Sequence, residues 1–204
     1  MGNSKREKSR DDLQQNLQVS VNKIQILLSM ERLAPTELNG LLCGEGGLVQ
    51  SLSEIFVHGM KLSRIRSNFA WDAIYHTSQR IQPHSLIQIK FLEVFSAIQE
   101  KCSDSGKEGK FQSFVCVLLR DGVLSLFLPL IRDCCTDIYD QSNAFIYDQA
   151  AIIFLEQMNR ILEAKKLHVD DSLTKVRLNA ICVCMNFLTK STKNLWYLSS
   201  KYVY

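Results

Sequence analysis

The stretch Ser85-Leu-Ile-Gln-Ile-Lys-Phe-Leu-Glu-Val-Phe-Ser-Ala-Ile98 sets Leu86, Ile89, Leu92, Phe95 and Ile98 three residues apart, the most regular apolar row in the chain. A recurrence near 3.6 residues, with no apolar–polar alternation, predicts a helix and not a strand.

Working outward, the same periodicity dominates. Towards the N-terminus, Phe69, Ala70, Trp71, Ile74, Tyr75 and Ser78 predict a helix ending before Pro83, and Leu48, Leu52, Ile55 and Phe56 predict another from about Gly47 to Lys61, with Gly59 near its end. Pro35 and Gly40 are read as bracketing a connection. Leu13, Leu17, Val21, Ile24 and Leu28 form one stripe of a helix from about Asp11 to Met30, with Ser9, Asp11 and Asp12 suited to its N-terminus.

Towards the C-terminus, residues 103–109 are rich in turn formers and charge and are expected to form a mobile surface loop. Phe111, Phe114, Val115 and Leu118 restart the helical pattern, which breaks at Arg120-Asp121-Gly122. Val123 to Ile131 is apolar almost all round, the mark of a central buried helix that Pro129 kinks or ends. A long amphipathic helix is expected from about Asn143 to Lys166, along Ile146, Ala150, Ile153, Phe154, Met158, Ile161 and Leu162, and a final one from Asp170 or Asp171. The predicted fold is all-α, a single compact bundle of about eight helices. Residues 1–10 are expected to be a basic disordered tail, 11–175 the helical domain, and 176–204 an extension that is helical in part.

Composition agrees with a folded domain: 46% of residues are hydrophobic and 22% charged, in a chain of 204. The formal charge of +3 is concentrated in Lys5, Arg6, Lys8 and Arg10 against Glu7, and the remainder is balanced. A neutral body argues against a nucleic-acid groove, which needs a basic stripe on the folded face. The seven cysteines, at 43, 102, 116, 134, 135, 182 and 184, form no CxxC pair and read as reduced thiols. The first residues are polar with no apolar core of a signal peptide, and the longest apolar stretches fall well short of a membrane span. Gly2 is followed by Arg6 where a myristoylation pattern wants Ser or Thr.

Few motifs carry chemistry. The run Leu42-Cys-Gly-Glu-Gly-Gly-Leu48 has the glycines of a phosphate loop but no preceding strand and no following Gly-Lys-Ser/Thr, so it reads as a glycine turn before a helix. His58, His76, His84 and His168 are scattered, and Cys182 and Cys184 would point to opposite sides of a helix, so no metal or cofactor is expected. Trp71, beside Phe69 and Asp72, is expected to be a core anchor and not a ligand-stacking platform. Lys61, Arg64 and Arg66 lie between two apolar helices without an acidic neighbour in sequence, and are the candidate partner-binding residues against the plainer reading of a solvated loop.

These segments converge on one family. Leu41-Leu-Cys-Gly-Glu-Gly-Gly-Leu-Val-Gln-Ser-Leu52, followed by Phe56, His58-Gly59 and Lys61, resembles the opening block of RUN domains. Phe69, Trp71-Asp72, Gly106-Lys-Glu-Gly-Lys-Phe-Gln112 and Val115-Cys116 through Arg120-Asp121 look most like the C-terminal RUN domain of a DENN-domain Rab guanine-nucleotide exchange factor that also carries RUN and PLAT modules. Gln112 and Cys116 stand where many RUN domains carry arginine.

The resemblance implies a non-enzymatic helical module that binds small GTPases of the Rab or Rap type, or motor and sorting proteins. It implies a cytoplasmic protein held on Golgi or endosomal membranes only through partners. Two alternatives stay open: a fragment of a Rab exchange factor acting as a GTPase regulator, and a motor- or sorting-protein scaffold that binds no GTPase.

Overall fold

The computed structural model describes residues 8–29, 35–61 and 68–164. Gly2, Arg64, Arg66, Cys182, Cys184 and the extension 176–204 lie outside them. Among the described residues there are eight α-helices, one 3-10 turn and no strand.

Helix α1 (Arg10–Ser29) starts one residue before the predicted position and buries Leu13, Leu17, Val21, Ile24 and Leu27. Its start is a reciprocal cap: the Ser9 hydroxyl accepts from the Asp12 amide at 3.2 Å, and the Asp12 carboxylate accepts from the Ser9 amide at 3.1 Å. Helix α2 (Pro35–Cys43) occupies what the sequence reading took for a connection. Proline is tolerated at the first helical position because its missing N–H would have no partner there. Leu38 and Leu42, one turn apart, anchor α2 in the core.

Helix α3 (Leu48–Val57) ends at His58, earlier than expected. Helix α4 (Ala70–Arg80) and helix α5 (Leu86–Lys101) agree closely with the expected boundaries. Ser85 and Gln88 close the α5 start, with the Ser85 amide donating to Gln88 Oε1 at 2.9 Å and the Gln88 amide to Ser85 Oγ at 3.3 Å. Ser85→Ala should therefore cost about 1 kcal/mol, read as the shift of a urea unfolding midpoint at constant slope; an unshifted midpoint would mean that solvent caps the helix equally well.

The row that identified α5 coincides only in part with the face it buries. Steps of three turn about 60° round an α-helix, so a row of five winds roughly 240° and cannot stay on one side. The fully buried positions are Lys90, Phe91, Val94 and Ile98, while Leu92 and Phe95 are half-buried and Leu86 and Ile89 are 46% and 41% exposed.

Helix α6 (Gly106–Asp121) starts inside the segment expected to be a mobile loop, and Gly122 ends it in the left-handed conformation. It buries Phe111 and every residue from Ser113 to Leu119, and it packs against α3, α4, α5 and helix α7 (Leu124–Cys134). Thus α6 is the central helix, and the expectation that Val123 to Ile131 fills that place is corrected. Helix α7 buries only Leu124, Phe127 and Ile131, leaves Leu126 exposed, and runs on through Pro129.

The predicted long helix from Asn143 is divided. Residues Phe145–Tyr147 form the 3-10 turn, and helix α8 (Gln149–Ala164) begins after Asp148, whose carboxylate accepts from the Ala151 amide at 2.9 Å. Its core face is Ala151, Leu155, Met158 and Leu162; of the predicted row Met158 and Leu162 are buried and Phe154 and Ile161 half-buried, while Ile153 is exposed. Helix α1 lies against α2, α3 and α8, so the N- and C-terminal described helices share one side of the bundle.

Candidate partner-binding surface

The irregular segment between α7 and α8 fastens the ends of three helices. The Met60 and Tyr139 backbones form an isolated antiparallel bridge, flanked by Lys61 N–H to Ile138 O at 2.9 Å and Asp140 N–H to Gly59 O at 2.8 Å. The buried Tyr139 hydroxyl donates to Phe56 O, and the Phe145 amide donates to His58 Nδ1 at 3.2 Å. Arg10 reaches the same segment from α1, donating to Ser142 O and Asn143 O and pairing with Asp148 at 2.9 Å.

Lys61 is placed by this bridge. Its side chain is exposed, and its ammonium donates to Asp137 O at 2.8 Å. Although no acidic residue neighbours it in sequence, Asp137 is beside it in space. The Asp137 carboxylate receives both nitrogens of Arg80, at 2.8 and 2.7 Å, and His76 Nε2 at 3.0 Å. Desolvation pushes this carboxyl up, but hydrogen bonds from His76, the Asp137 backbone and Arg80, with the charge of His76, outweigh it and hold it below the usual carboxylate range. Lys61 is thereby linked through Asp137 to His76 and Arg80 in the C-terminal half of α4.

Tyr75 is 47% exposed, with its ring centroid 6.0 Å from that of Phe95. From Phe95 the α5 row runs outward through Leu92 to Ile89 and Leu86. Tyr75 on α4 and Leu86 and Ile89 on α5 are thus exposed apolar side chains on two helices in contact, with the basic groups of Lys61, His76 and Arg80 at the α4 side. Sequence periodicity marks these residues as helical but does not tell which of them stay exposed.

Trp71 is a core residue, 3% exposed, stacked on Phe95 at 5.5 Å and edge-on to Phe114 at 6.2 Å. Two segments of the second resemblance block also meet here: Lys107 pairs with Asp72 and lies over the Phe69 ring at 5.3 Å, while the Asp72 carboxylate accepts from the Phe69 amide at 3.0 Å. Gln112 is half-buried, and Cys116 is fully buried.

The other sequence candidates are dispersed. The glycine run forms a turn into α3, with the Gly47 amide on Gly44 O and the Gly46 amide on Gln50 Oε1. His84 sits on Gln82 at the α4–α5 connection, and His168 is outside the described residues. At the α5–α6 contact, Lys90 lies 3.8 Å from Glu93, and Asp121 pairs with Arg120 at 2.8 Å. Desolvation pushes the Asp121 carboxyl up, opposed by the charge of Arg120. Among the described residues no group of three or more His, Cys, Asp and Glu side chains is placed to hold a metal ion, and no helix is long and apolar enough to cross a membrane.

The family model of the RUN domain matches residues 47–167, a stretch that takes in α3 through α8. RUN domains are in general interaction modules for small GTPases in membrane traffic. Since the match covers more than half of the sequence and includes the His58-Gly59 step, Trp71, Tyr75, Leu86 and Ile89, the chain belongs to the RUN-domain family.

Proposed function

We propose that the chain is a docking module, without catalysis of its own, that binds a small GTPase of the Rab or Rap type in vesicle traffic. The family match over residues 47–167 carries this reading. The exposed Tyr75, Leu86 and Ile89 side chains support the choice of α4 and α5, because interface energy concentrates in a few apolar and aromatic anchors. The positive charges of Lys61, Arg64 and Arg66, close in sequence, suit the steering of an acidic partner. The finer assignment, to the C-terminal RUN domain of a DENN-domain Rab exchange factor, is supported by the sequence around Phe69, Trp71-Asp72 and Gly106 to Gln112. Membrane association is then peripheral, on Golgi or endosomal membranes, and borne by the partner.

The test is surface-plasmon binding of the full chain to a panel of Rab and Rap GTPases, loaded with GTP analogue or GDP, at two salt concentrations. Reversing Lys61, Arg64 and Arg66 to Glu should slow association and flatten its salt dependence. The Tyr75→Ala, Ile89→Ala double variant should instead speed dissociation, weakening affinity about tenfold or more at unchanged helix content. Unaltered kinetics in both variants would remove these residues from the site. Absence of binding across the panel would favour the motor or sorting-protein scaffold, and accelerated nucleotide exchange would favour the GTPase regulator.

A further inference from the structure

We propose that Cys43 and Cys116 form a peroxide-responsive dithiol that closes into a disulfide joining α2 to α6. The two sulfurs lie 3.7 Å apart, although 73 residues separate them in the chain. Cys43 is the last residue of α2 and half-buried, whereas Cys116 lies inside α6 with no exposed surface. The other buried thiols are engaged differently: Cys102 meets Ser113 Oγ at 3.5 Å, and Cys135 meets Thr77 Oγ1 at 3.2 Å and Ala73 O at 3.4 Å. This site is independent of the GTPase-binding reading.

Its parts are arranged as an attacking and a resolving thiol. Cys43 is the more accessible of the two, and the hydrogen bond from Cys116 holds it below the usual thiol range. That hydrogen bond, together with burial, holds Cys116 far above it, so Cys116 keeps its proton until a partner sulfur is activated. A hydroperoxide is attacked by the Cys43 sulfur: the O–O bond breaks, a sulfenic acid forms, and water or the matching alcohol leaves. The Cys116 sulfur then attacks the Cys43 sulfur, the S–O bond breaks, and the departing hydroxide takes the Cys116 proton as water. With hydrogen peroxide the balance is two thiols and one peroxide giving one disulfide and two waters.

Closure needs the sulfurs to approach by about 1.7 Å, to the 2.05 Å of a disulfide. Cys43 can supply this, since it ends a nine-residue helix and is followed by Gly44-Glu-Gly-Gly47. The closed loop would enclose α3, α4 and α5, including the exposed Tyr75, Leu86 and Ile89.

The full chain is treated with increasing hydrogen peroxide, alkylated without reduction, and digested with trypsin. The expected product is a linked pair of peptides, residues 33–61 with residues 111–120, appearing at peroxide levels that leave Cys102 and Cys135 alkylatable, and reversed by dithiothreitol. Cys43→Ser should abolish it. Cys116→Ser, which keeps a small polar side chain, should stop the reaction at a Cys43 sulfenic acid trapped by dimedone. Complete alkylation of Cys43 and Cys116 after peroxide treatment of the parent chain would overturn the proposal, as would first oxidation at any other cysteine.

Discussion

Trp71→Ala should destabilise the fold by about 3–5 kcal/mol, the usual loss for deleting a large buried aromatic. The indole is 3% exposed and joins three helices: it belongs to α4, stacks on Phe95 of α5 and meets Phe114 of α6 edge-on. Its removal leaves a cavity against α6, whose surroundings are packed on nearly every side and cannot collapse freely. The melting temperature should fall by roughly 10 °C in a thermal scan. Trp71→Phe, which keeps a stacking ring, should recover much of that loss. A Trp71→Ala protein melting within a degree of the parent would show that α4 is not anchored through this residue, and would reopen the stacking-platform reading.

Gly59→Ala should cost about 4 kcal/mol or more, although it adds a single methyl group. The backbone at Gly59 has φ +75°, a conformation that a side chain disfavours by about 1–2 kcal/mol. A Cβ there would also come within 2.3 Å of Ala144 Cα and 2.6 Å of Ala144 N, which are backbone atoms and cannot swing aside. Relief requires the 140–147 segment to move, at the expense of the Asp140–Gly59 hydrogen bond and the contact between His58 and the Phe145 amide. Gly40→Ala is the control: its added Cβ meets nothing within 4 Å, and alanine in a helix interior is favoured over glycine by up to about 1 kcal/mol. Equilibrium urea unfolding of the pair should move the midpoints in opposite directions. A neutral Gly59→Ala would mean that the His-Gly step does not clamp the segment before α8.

The His58-Gly59 step also shows how far sequence reasoning reached. It was visible as part of a family block and as a helix ending, but its partner is Ala144, far along the chain, and no local pattern names that residue. Lys61 is similar. Its basic character was plain, yet Asp137, His76 and Arg80, which hold it beside α4, come from separate segments brought together by the Met60–Tyr139 bridge. Helix α2 escaped notice because Pro35 and Gly40 are breakers by composition, while Pro35 falls at the first helical position and Leu38 and Leu42 supply the buried turn.

The sequence by itself determined an all-helical chain, because apolar spacing near 3.6 residues suits helices and leaves no alternating segment for a sheet. It also determined the Ser9 and Gly122 ends, where the signal lies within one turn of chain, and the family block itself. The tertiary structure alone decided which faces those helices bury. A helix direction is a local property of hydrogen bonds between residues four apart, whereas the buried face depends on which neighbours arrive. For that reason α6, and not the more uniformly apolar α7, fills the centre, with residues 113–119 enclosed by α3, α4, α5 and α7. For the same reason the α5 row divides between core and solvent, leaving Leu86 and Ile89 exposed on α5, as Tyr75 is on α4, among the side chains proposed to meet a partner.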